Sequence, residues 1–262
     1  MPSSALQVAR TGLEAQDTRM RVISNNLANV STTAFKRDRA NFATLAYQDA
    51  RVAGAQSSNE TAYATGLNLG TGVGIQSTTR METQGSLNAT GNSLDLALDG
   101  DGYFQVSLPG GQLGYTRAGN FTRSADGQLV TAQGYIVQPP ISIPEGSTSI
   151  TISQDGTVSA QIAGQSDPAQ LGQLTVASFT NPAALQAASD NFMLETAASG
   201  PAQIGIAGEQ GRGQIRQGML EGSNVNIVEE LVDMIETQRA YEINSKMISA
   251  VDEMLQNANQ TL

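Results

Sequence analysis

The sequence has neither cysteine nor histidine among its 262 residues. Without cysteine it can form no disulfide, no thiolate nucleophile and no cysteine-ligated metal site. Without histidine it lacks the commonest general base near neutral pH and the commonest transition-metal ligand. These two absences predict a protein that is not an enzyme and that needs no cofactor or metal.

Positive charge and long apolar runs are also scarce. Fourteen basic residues stand against 24 acidic ones, a net charge of −10, which would repel a phosphate backbone and argues against nucleic acid as a partner. No apolar run is long enough for a membrane-spanning helix. The first twenty residues lack the apolar stretch of a secretory signal, so we expect export, if any, by a route that reads no cleaved leader.

Glycine and proline divide the chain into three parts. Residues 13–53 and 223–262 contain neither, whereas 26 of the 27 glycines lie between 54 and 222. Since both residues are poor helix formers and good turn formers, the ends are predicted to be helical and the middle to consist of strands and turns.

The N-terminal segment carries an apolar stripe at helical spacing. Alternating steps of three and four residues place seven apolar side chains and one glutamine on one face. The stripe consists of Leu6, Ala9, Leu13, Gln16, Met20, Ile23, Leu27 and Val30. This spacing predicts an amphipathic helix about 40 Å long.

The C-terminal segment has a heptad pattern that is only half regular. Apolar residues recur every seven positions, and Leu231 occupies the neighbouring heptad position. The repeating set is Ile227, Met234, Tyr241, Ile248 and Leu255. Beyond Leu231 the neighbouring position turns polar, at Gln238, Ser245 and Asp252. Asn226 is predicted to cap this helix, with Glu229 and Glu230 favoured in its first turn by the helix dipole.

The two ends also differ in charge: seven basic and four acidic residues in 1–53, against two and seven in 223–262. We therefore predict an α+β fold. Its long N- and C-terminal α-helices would pair as a coiled-coil-like stem, with a β-rich middle domain inserted between them. Periodicity alone fits equally well with two ordinary helices that face the core of one domain.

Short segments rich in β-branched and aromatic residues fill the middle of the chain. We predict strands at Leu94–Leu98, Tyr103–Leu108, Gln128–Thr131, Tyr135–Gln138, Ser149–Ser153, Thr157–Gln161 and Leu174–Phe179. Asp-Gly and Pro-Gly pairs between them are typical of turns, as at Pro109-Gly110 and Asp155-Gly156. The pattern indicates an antiparallel sheet or a small barrel.

Three patterns that suggest chemistry are weak. The run from Gly70 to Gly74 lacks the spacing of a phosphate-binding loop. The acidic series Asp95, Asp99 and Asp101 lacks the glutamate that completes a calcium loop, so a hairpin turn is favoured there. A pair of carboxylates that cleaves glycosidic bonds needs only proximity in space, which no sequence excludes.

Four long strings resemble the flagellar rod and hook proteins. They are GLEAQDTRMRVISNNLANVSTTAFKR at 12–37, DLALDGDGYFQV with YTRAGNFTRSADGQLVTAQGYIVQ at 95–106 and 115–138, and SNVNIVEELVDMIETQRAYEINSKMISAVDEMLQ at 223–256. The stretch at 47–73 resembles the segment typical of distal rod members of that family. Ala34 departs from the family, which often has glycine there, and a non-glycine residue predicts that this position does not have a positive φ.

The resemblance implies a structural subunit of the distal rod in the flagellar basal body. It would self-assemble helically into the hollow shaft that crosses the periplasm and carries torque from motor to hook. The implied partners are other copies of itself, proximal rod proteins, the hook protein, the surrounding P- and L-ring proteins and the flagellar type III export apparatus. The alternatives are a proximal rod or hook-type subunit, or a secreted protein that binds or cleaves the cell wall.

On this interpretation residues 1–33 and 223–262 form the helical polymerisation domain, 34–80 an extended connecting segment, and 81–222 a β-rich outer domain. The predicted subunit interface comprises Leu6, Leu13, Met20, Ile23, Leu27, Val30, Ile227, Leu231, Met234, Tyr241, Ile248 and Leu255. The predicted rod-straightness residues are Tyr47, Gln48, Gly54, Gln56, Ser57 and Ser58.

Overall fold

A computed structural model describes residues 2–56, 63–162 and 167–260. In this part of the chain two α-helices lie at the ends, α1 at Pro2–Ala28 and α2 at Ile227–Gln260, and twenty β-strands lie between them. Asn226 caps α2 as predicted, since its side-chain Oδ1 accepts a hydrogen bond from the backbone N–H of Val228 at 3.1 Å.

The strands are short and are numbered in chain order. The first ten are β1 Asp38–Thr44, β2 Tyr47–Arg51, β3 Leu67–Gly70, β4 Val73–Arg80, β5 Leu87–Ala89, β6 Leu96–Asp99, β7 Tyr103–Ser107, β8 Leu113–Thr116, β9 Thr122–Arg123 and β10 Leu129–Val130. The others are β11 Ile136–Gln138, β12 Ser147–Ile152, β13 Thr157–Ile162, β14 Ala169–Gln173, β15 Thr175–Ser178, β16 Gln186–Ala187, β17 Met193–Leu194, β18 Gln203–Ile206, β19 Gln214–Gln217 and β20 Met219–Glu221.

The chain forms two compact units. The helix unit consists of residues 1–28, 38–80 and 226–262, and the β unit of residues 29–37 and 81–225. Each unit is therefore built from separate pieces of sequence, because α1 and α2 come from opposite ends of the chain.

In the helix unit α1 and α2 lie antiparallel, side by side. Arg19 of α1 pairs with Asp233 of α2 at 3.3 Å. Further along α1, the Asn26 side-chain amide donates to the Glu230 carboxylate at 3.2 Å. Asn26 also accepts from the Asp38 backbone N–H and donates to its carbonyl, both at 2.9 Å, which fixes the start of β1.

The predicted coiled-coil-like stem is wrong, and only the α+β class agrees in part. A coiled coil buries its apolar heptad residues in the contact between the helices. Ile227, Leu231 and Tyr241 are instead 43–47% exposed. The side of α2 that faces α1 carries the polar residues Glu230, Asp233 and Thr237, of which Glu230 and Thr237 are fully buried.

Two of the buried apolar side chains of α1 are small, and a glycine lies where α1 approaches α2. Ala9, Ala15 and Ile23 are the buried apolar residues of α1 among those described. At Gly12 an added Cβ would lie 3.1 Å from the Asn244 side chain, so the two helices approach closely there. Close approach through small and polar side chains, rather than interlocked apolar ones, is why the heptad prediction fails.

A β ribbon extends the helix unit. Strands β1 and β4 pair antiparallel from Asp38 opposite Arg80 to Thr44 opposite Val73, and β2 and β3 continue the ribbon. Strands β1 to β4, which lie in the stretch at 34–80 that is predicted as an extended connection, therefore form a paired ribbon.

The β unit is organised around a nine-stranded antiparallel sheet. Its strand order is β16-β17-β8-β7-β11-β10-β9, with β15 pairing to β7 and β18 to β15. A three-stranded sheet of β12, β13 and β14 lies in the same unit. The apolar core of the unit has little or no exposure, and its residues include Leu96, Leu98, Phe104, Val106, Phe121, Leu174, Val176 and Ile215.

The predicted strands of the middle are confirmed, and one turn prediction is not. Every predicted strand overlaps an observed one, from β6 to β15. Residues 99–102 were expected to form a hairpin, but β6 pairs with β19 whereas β7 pairs with β8, β11 and β15. The Asp-Gly pairs there carry the chain between two sheets instead of closing a hairpin.

Candidate assembly surfaces

Helix α2 is packed with its polar face inward and its apolar side chains outward. Glu230 and Thr237 are fully buried, whereas Val228 is 69% exposed and Val232 51% exposed. A helix of a monomeric globular protein normally shows the opposite pattern, with its apolar stripe against the core. The apolar outer surface of α2 therefore does not pack against the core of its own chain.

Apart from Ile227 and Tyr241, the large exposed apolar residues of α2 fall into two groups. Near its start Val228, Leu231, Val232 and Ile235 are spaced i, i+3, i+4 and i+7, and we call them the α2 patch. Further along, Ile243, Met247 and Met254 form a second exposed group. Spacing of the first kind is how an amphipathic helix anchors itself in the groove of a partner.

The residues predicted for the subunit interface occupy different environments. Ile23 is buried, and Ile227, Leu231 and Tyr241 are exposed. Those half-buried are Leu6, Leu13, Met20, Leu27, Val30, Met234 and Ile248. The side chain of Leu255 lies outside the described part of the structure.

The β2–β3 ribbon presents apolar side chains to the surroundings. Tyr47 and Val52 are more than 60% exposed, and Leu67 and Leu69 more than 40%. Arg51 lies over the Tyr63 ring, its guanidinium carbon 4.1 Å from the ring centre, which stiffens the ribbon near its tip. Gly54 adopts a positive φ of 85°.

Four of the six predicted straightness residues lie in or directly after strand β2 of this ribbon. Tyr47 and Gln48 are in β2, opposite Gly70 and Leu69 of β3. Gly54 and Gln56 follow β2 and are exposed. Ser57 and Ser58 lie outside the described residues.

In the β unit a buried ion cluster joins distant parts of the chain. Glu221 is fully buried and accepts from Lys36 Nζ at 2.6 Å and from Arg117 Nε at 2.8 Å. The backbone N–H of Gly85 donates to the same carboxylate at 3.0 Å. We call Lys36, Arg117 and Glu221 the junction cluster.

Backbone carbonyls satisfy the remaining donors of the junction cluster. Arg117 donates to the carbonyl oxygens of Gly100 at 2.8 Å and Gly102 at 3.1 Å, and Lys36 donates to that of Thr83 at 2.8 Å. Buried charges are tolerated when they are paired and hydrogen-bonded in this way. The cluster therefore fixes the 99–102 connection against both ends of the β unit.

Burial and pairing shift the pKa values within the cluster. Burial alone would raise the pKa of Glu221, but Arg117 and Lys36 outweigh it and hold that pKa below its ordinary value. Burial, together with the nearby Arg117 charge, lowers the pKa of Lys36, and Glu221 opposes that shift. Glu221 is thus ionised in the folded protein at neutral pH.

Beside the cluster, Ala34 adopts a left-handed backbone conformation with a φ of 56°. The prediction that this position avoids a positive φ is wrong. The hydrogen bond from the Ala34 N–H to the Glu221 carbonyl at 2.8 Å holds the turn in place. An L-residue in this region is strained, and the surrounding bonds compensate for that strain.

Sequence reasoning missed the junction cluster and part of α2. Lys36 and Glu221 are 185 positions apart, and no local pattern pairs them. Lys36 and Arg117 do lie within strings that carry the family resemblance, which was the available signal. Val228, Val232 and Ile235 lie outside the predicted heptad set, and together with Leu231 they form an apolar face that their i, i+3, i+4, i+7 spacing could have indicated.

Within residues 2–56, 63–162 and 167–260, no group of three or more acidic side chains is placed to hold a metal ion. No helix in that part of the chain is long and apolar enough to cross a membrane.

Comparison with known proteins finds similarity along the whole chain. Residues 6–36 match the family described as "Flagella basal body rod protein", residues 97–160 "Flagellar hook protein FlgE/F/G D1 domain", and residues 216–261 "Flagellar basal body rod FlgEFG protein C-terminal". Among similar relatives, the "Flagellar basal-body rod protein FlgG" of Buchnera aphidicola from Acyrthosiphon pisum is 51% identical over 256 residues, 98% of each chain. The proteins of that name from Caulobacter vibrioides, at 47% with 98% of each chain, and Agrobacterium fabrum, at 45% with 98% of this chain and 99% of the other, are also similar.

Proposed function

Since the chain belongs to the FlgG family of flagellar basal-body rod proteins, we propose that it works by self-assembly into the distal rod. It is a structural subunit of that rod, located in the flagellar basal body. Many copies stack helically into a hollow shaft that transmits torque from the motor to the hook.

The observation that carries this proposal is the outward apolar surface of α2. Val228, Leu231, Val232 and Ile235 are each between 43% and 69% exposed on one helix face, while Glu230 and Thr237 are buried. Apolar surface of this extent on a rod subunit is explained if other copies of the chain cover it, because burial in an assembly removes it from water.

We further propose that the terminal segments supply the polymer contacts and that the β unit forms the outer surface of the rod. On this view residues 1–33 and 223–262 are the polymerisation domain. We propose that the contacts between copies involve the α2 patch and the set predicted from the sequence except Ile23, which is buried within the single chain: Leu6, Leu13, Met20, Leu27, Val30, Ile227, Leu231, Met234, Tyr241, Ile248 and Leu255.

The ribbon at 47–73 is proposed to bridge neighbouring copies and keep the rod straight. Its exposed Tyr47, Leu67 and Leu69 give it an apolar contact surface. Deleting 47–73 should yield a bent or mis-sized rod in electron micrographs of basal bodies. A rod of normal shape and length would count against this role.

As a rod protein the chain assembles with other components of the basal body. The specific neighbours we propose are proximal rod proteins below, the hook protein above and the P- and L-ring proteins around the rod. We propose the flagellar type III apparatus as the export route.

Electron microscopy of basal bodies from a strain without this gene tests the proposed place in the rod. Basal bodies that stop at a short proximal rod, without a hook, are the expected result. A missing rod would indicate a proximal subunit instead, and complete basal bodies would contradict a role in the rod.

A further inference from the structure

The helix unit contains an open groove at the end farthest from the α2 patch. It has a volume of about 620 Å³ and lies between the start of α1, the later part of α2 and the β2–β3 ribbon. Val8, Ala50, Leu69 and Met247 give it apolar walls, and Asp49 stands at its rim. We call this the α1–ribbon groove.

We propose that the α2 patch of one copy docks in the α1–ribbon groove of the next copy. The inference rests on the proposed self-assembly and names the two surfaces that meet. The patch has the i, i+3, i+4, i+7 spacing of a helix anchored in a groove, and the groove offers apolar walls of matching chemistry.

The two surfaces cannot meet within one molecule. Along α2 the step from Val232 to Met247 is 15 residues, or about 22 Å at the helical rise. The patch therefore lies near one end of the helix pair and the groove near the other.

A contact between two different surfaces repeats from copy to copy. It builds an open polymer when the rotation that relates neighbouring copies does not close a ring. Such head-to-tail growth is what an axial shaft requires.

Charge at the edges of the two surfaces agrees with this pairing. Arg239 is exposed one turn beyond Ile235, on the same side of α2 as the patch. Asp49 is exposed at the groove rim. Docking would bring this cation and this anion together, which sets the orientation of the helix in the groove.

Cysteine cross-linking tests the docking directly, because the natural chain contains no cysteine. When assembled basal bodies are treated with a mild thiol oxidant, the variant Val232→Cys with Leu69→Cys should form disulfides between copies, giving a ladder of dimers and longer chains and a loss of the monomer band. Each single variant should remain monomeric, since the contact joins two different surfaces. Ile204→Cys with Leu69→Cys is the matched control, because Ile204 is an equally exposed apolar residue on β18.

Motility of the same strains separates this inference from the proposed function. Swimming cells in which Val232→Cys with Leu69→Cys and the second pair, Ile235→Cys with Ala50→Cys, both stay monomeric would overturn the docking and leave the rod function intact. If the unaltered chain fails to restore a rod to cells that lack it, the proposed function itself is wrong.

A charge exchange gives an independent measurement. Arg239→Asp should reduce swimming, and adding Asp49→Arg to it should restore swimming toward the natural level. Arg239→Asp combined with Asp126→Arg serves as control, because Asp126 is exposed in the β unit, and should give no recovery. A double variant no better than Arg239→Asp alone would contradict the pairing.

Discussion

The helix unit and the β unit distribute their apolar side chains in opposite ways. In the β unit Leu96, Leu98 and Phe104 are fully buried, and the charges of the junction cluster are buried only with partners. In the helix unit α2 buries Glu230 and exposes Leu231 and Val232. The β unit therefore has a complete core of its own, whereas the helix unit keeps much of its apolar surface for other copies.

The largest effect on stability is expected from the junction cluster. Glu221→Gln leaves Lys36 and Arg117 buried without a counter-charge, which should lower the free energy of unfolding of the β unit by about 3–5 kcal/mol. Urea denaturation of the purified chain measures this loss. Glu209→Gln, at an exposed glutamate, is the control and should change stability little. Equal stability of the two variants would mean that the junction cluster does not stabilise the β unit.

A matched pair of leucines tests the contrast between the units. Leu98→Ala removes a fully buried side chain and should cost about 2–5 kcal/mol. Leu231→Ala should alter the stability of the monomer much less, because Leu231 is 43% exposed there. Thermal unfolding of both purified variants measures the difference. Similar losses of stability from the two substitutions would contradict the difference in burial between the two units.

A charge introduced at Leu231 tests whether other copies bury this side chain in the polymer. Leu231→Asp should abolish motility while the circular dichroism of the β unit stays natural, because an unpaired carboxylate would be buried only in the polymer. Swimming assays and spectra of the purified variant check both halves. Normal swimming of this variant would contradict the assignment of Leu231 to the interface between copies.

Acid should weaken the β unit through Glu221. Its pKa is lowered in the folded protein, so the unfolded chain binds the proton more readily, and stability is lost as pH falls from the ordinary pKa through the folded one. The stability difference between the natural chain and Glu221→Gln should therefore be full above the ordinary pKa and shrink below it. Urea denaturation at a series of acid pH values gives this difference, and a difference independent of pH would contradict the assignment.

The smallest effect concerns backbone strain at Ala34. Ala34→Gly should stabilise the β unit by about 1 kcal/mol, because glycine adopts a φ of 56° without a steric penalty. Ala160→Gly in β13 should instead destabilise, since glycine gains nothing in an extended strand. Thermal unfolding of the two variants measures these stability changes. A loss of stability with Ala34→Gly would show that glycine does not relieve backbone strain at this position.

Local patterns sufficed for the elements of the fold but not for their packing. The heptad at Ile227, Met234 and Tyr241 located a helix correctly, yet periodicity gives an apolar face without saying whether the same chain or another copy covers it. The same limit applies to Asp99-Gly100, where turn chemistry predicted a change of direction but not which strands would pair on either side.

The sequence by itself determined the helical ends, the strands between them and the family, because helix caps, turn residues and residue spacing act over a few positions. Only the tertiary structure decided which face of α2 turns inward, that Lys36 and Arg117 converge on Glu221, and that Ala34 takes a positive φ. Each of these depends on residues brought together from distant parts of the chain, and local spacing carries no record of such contacts.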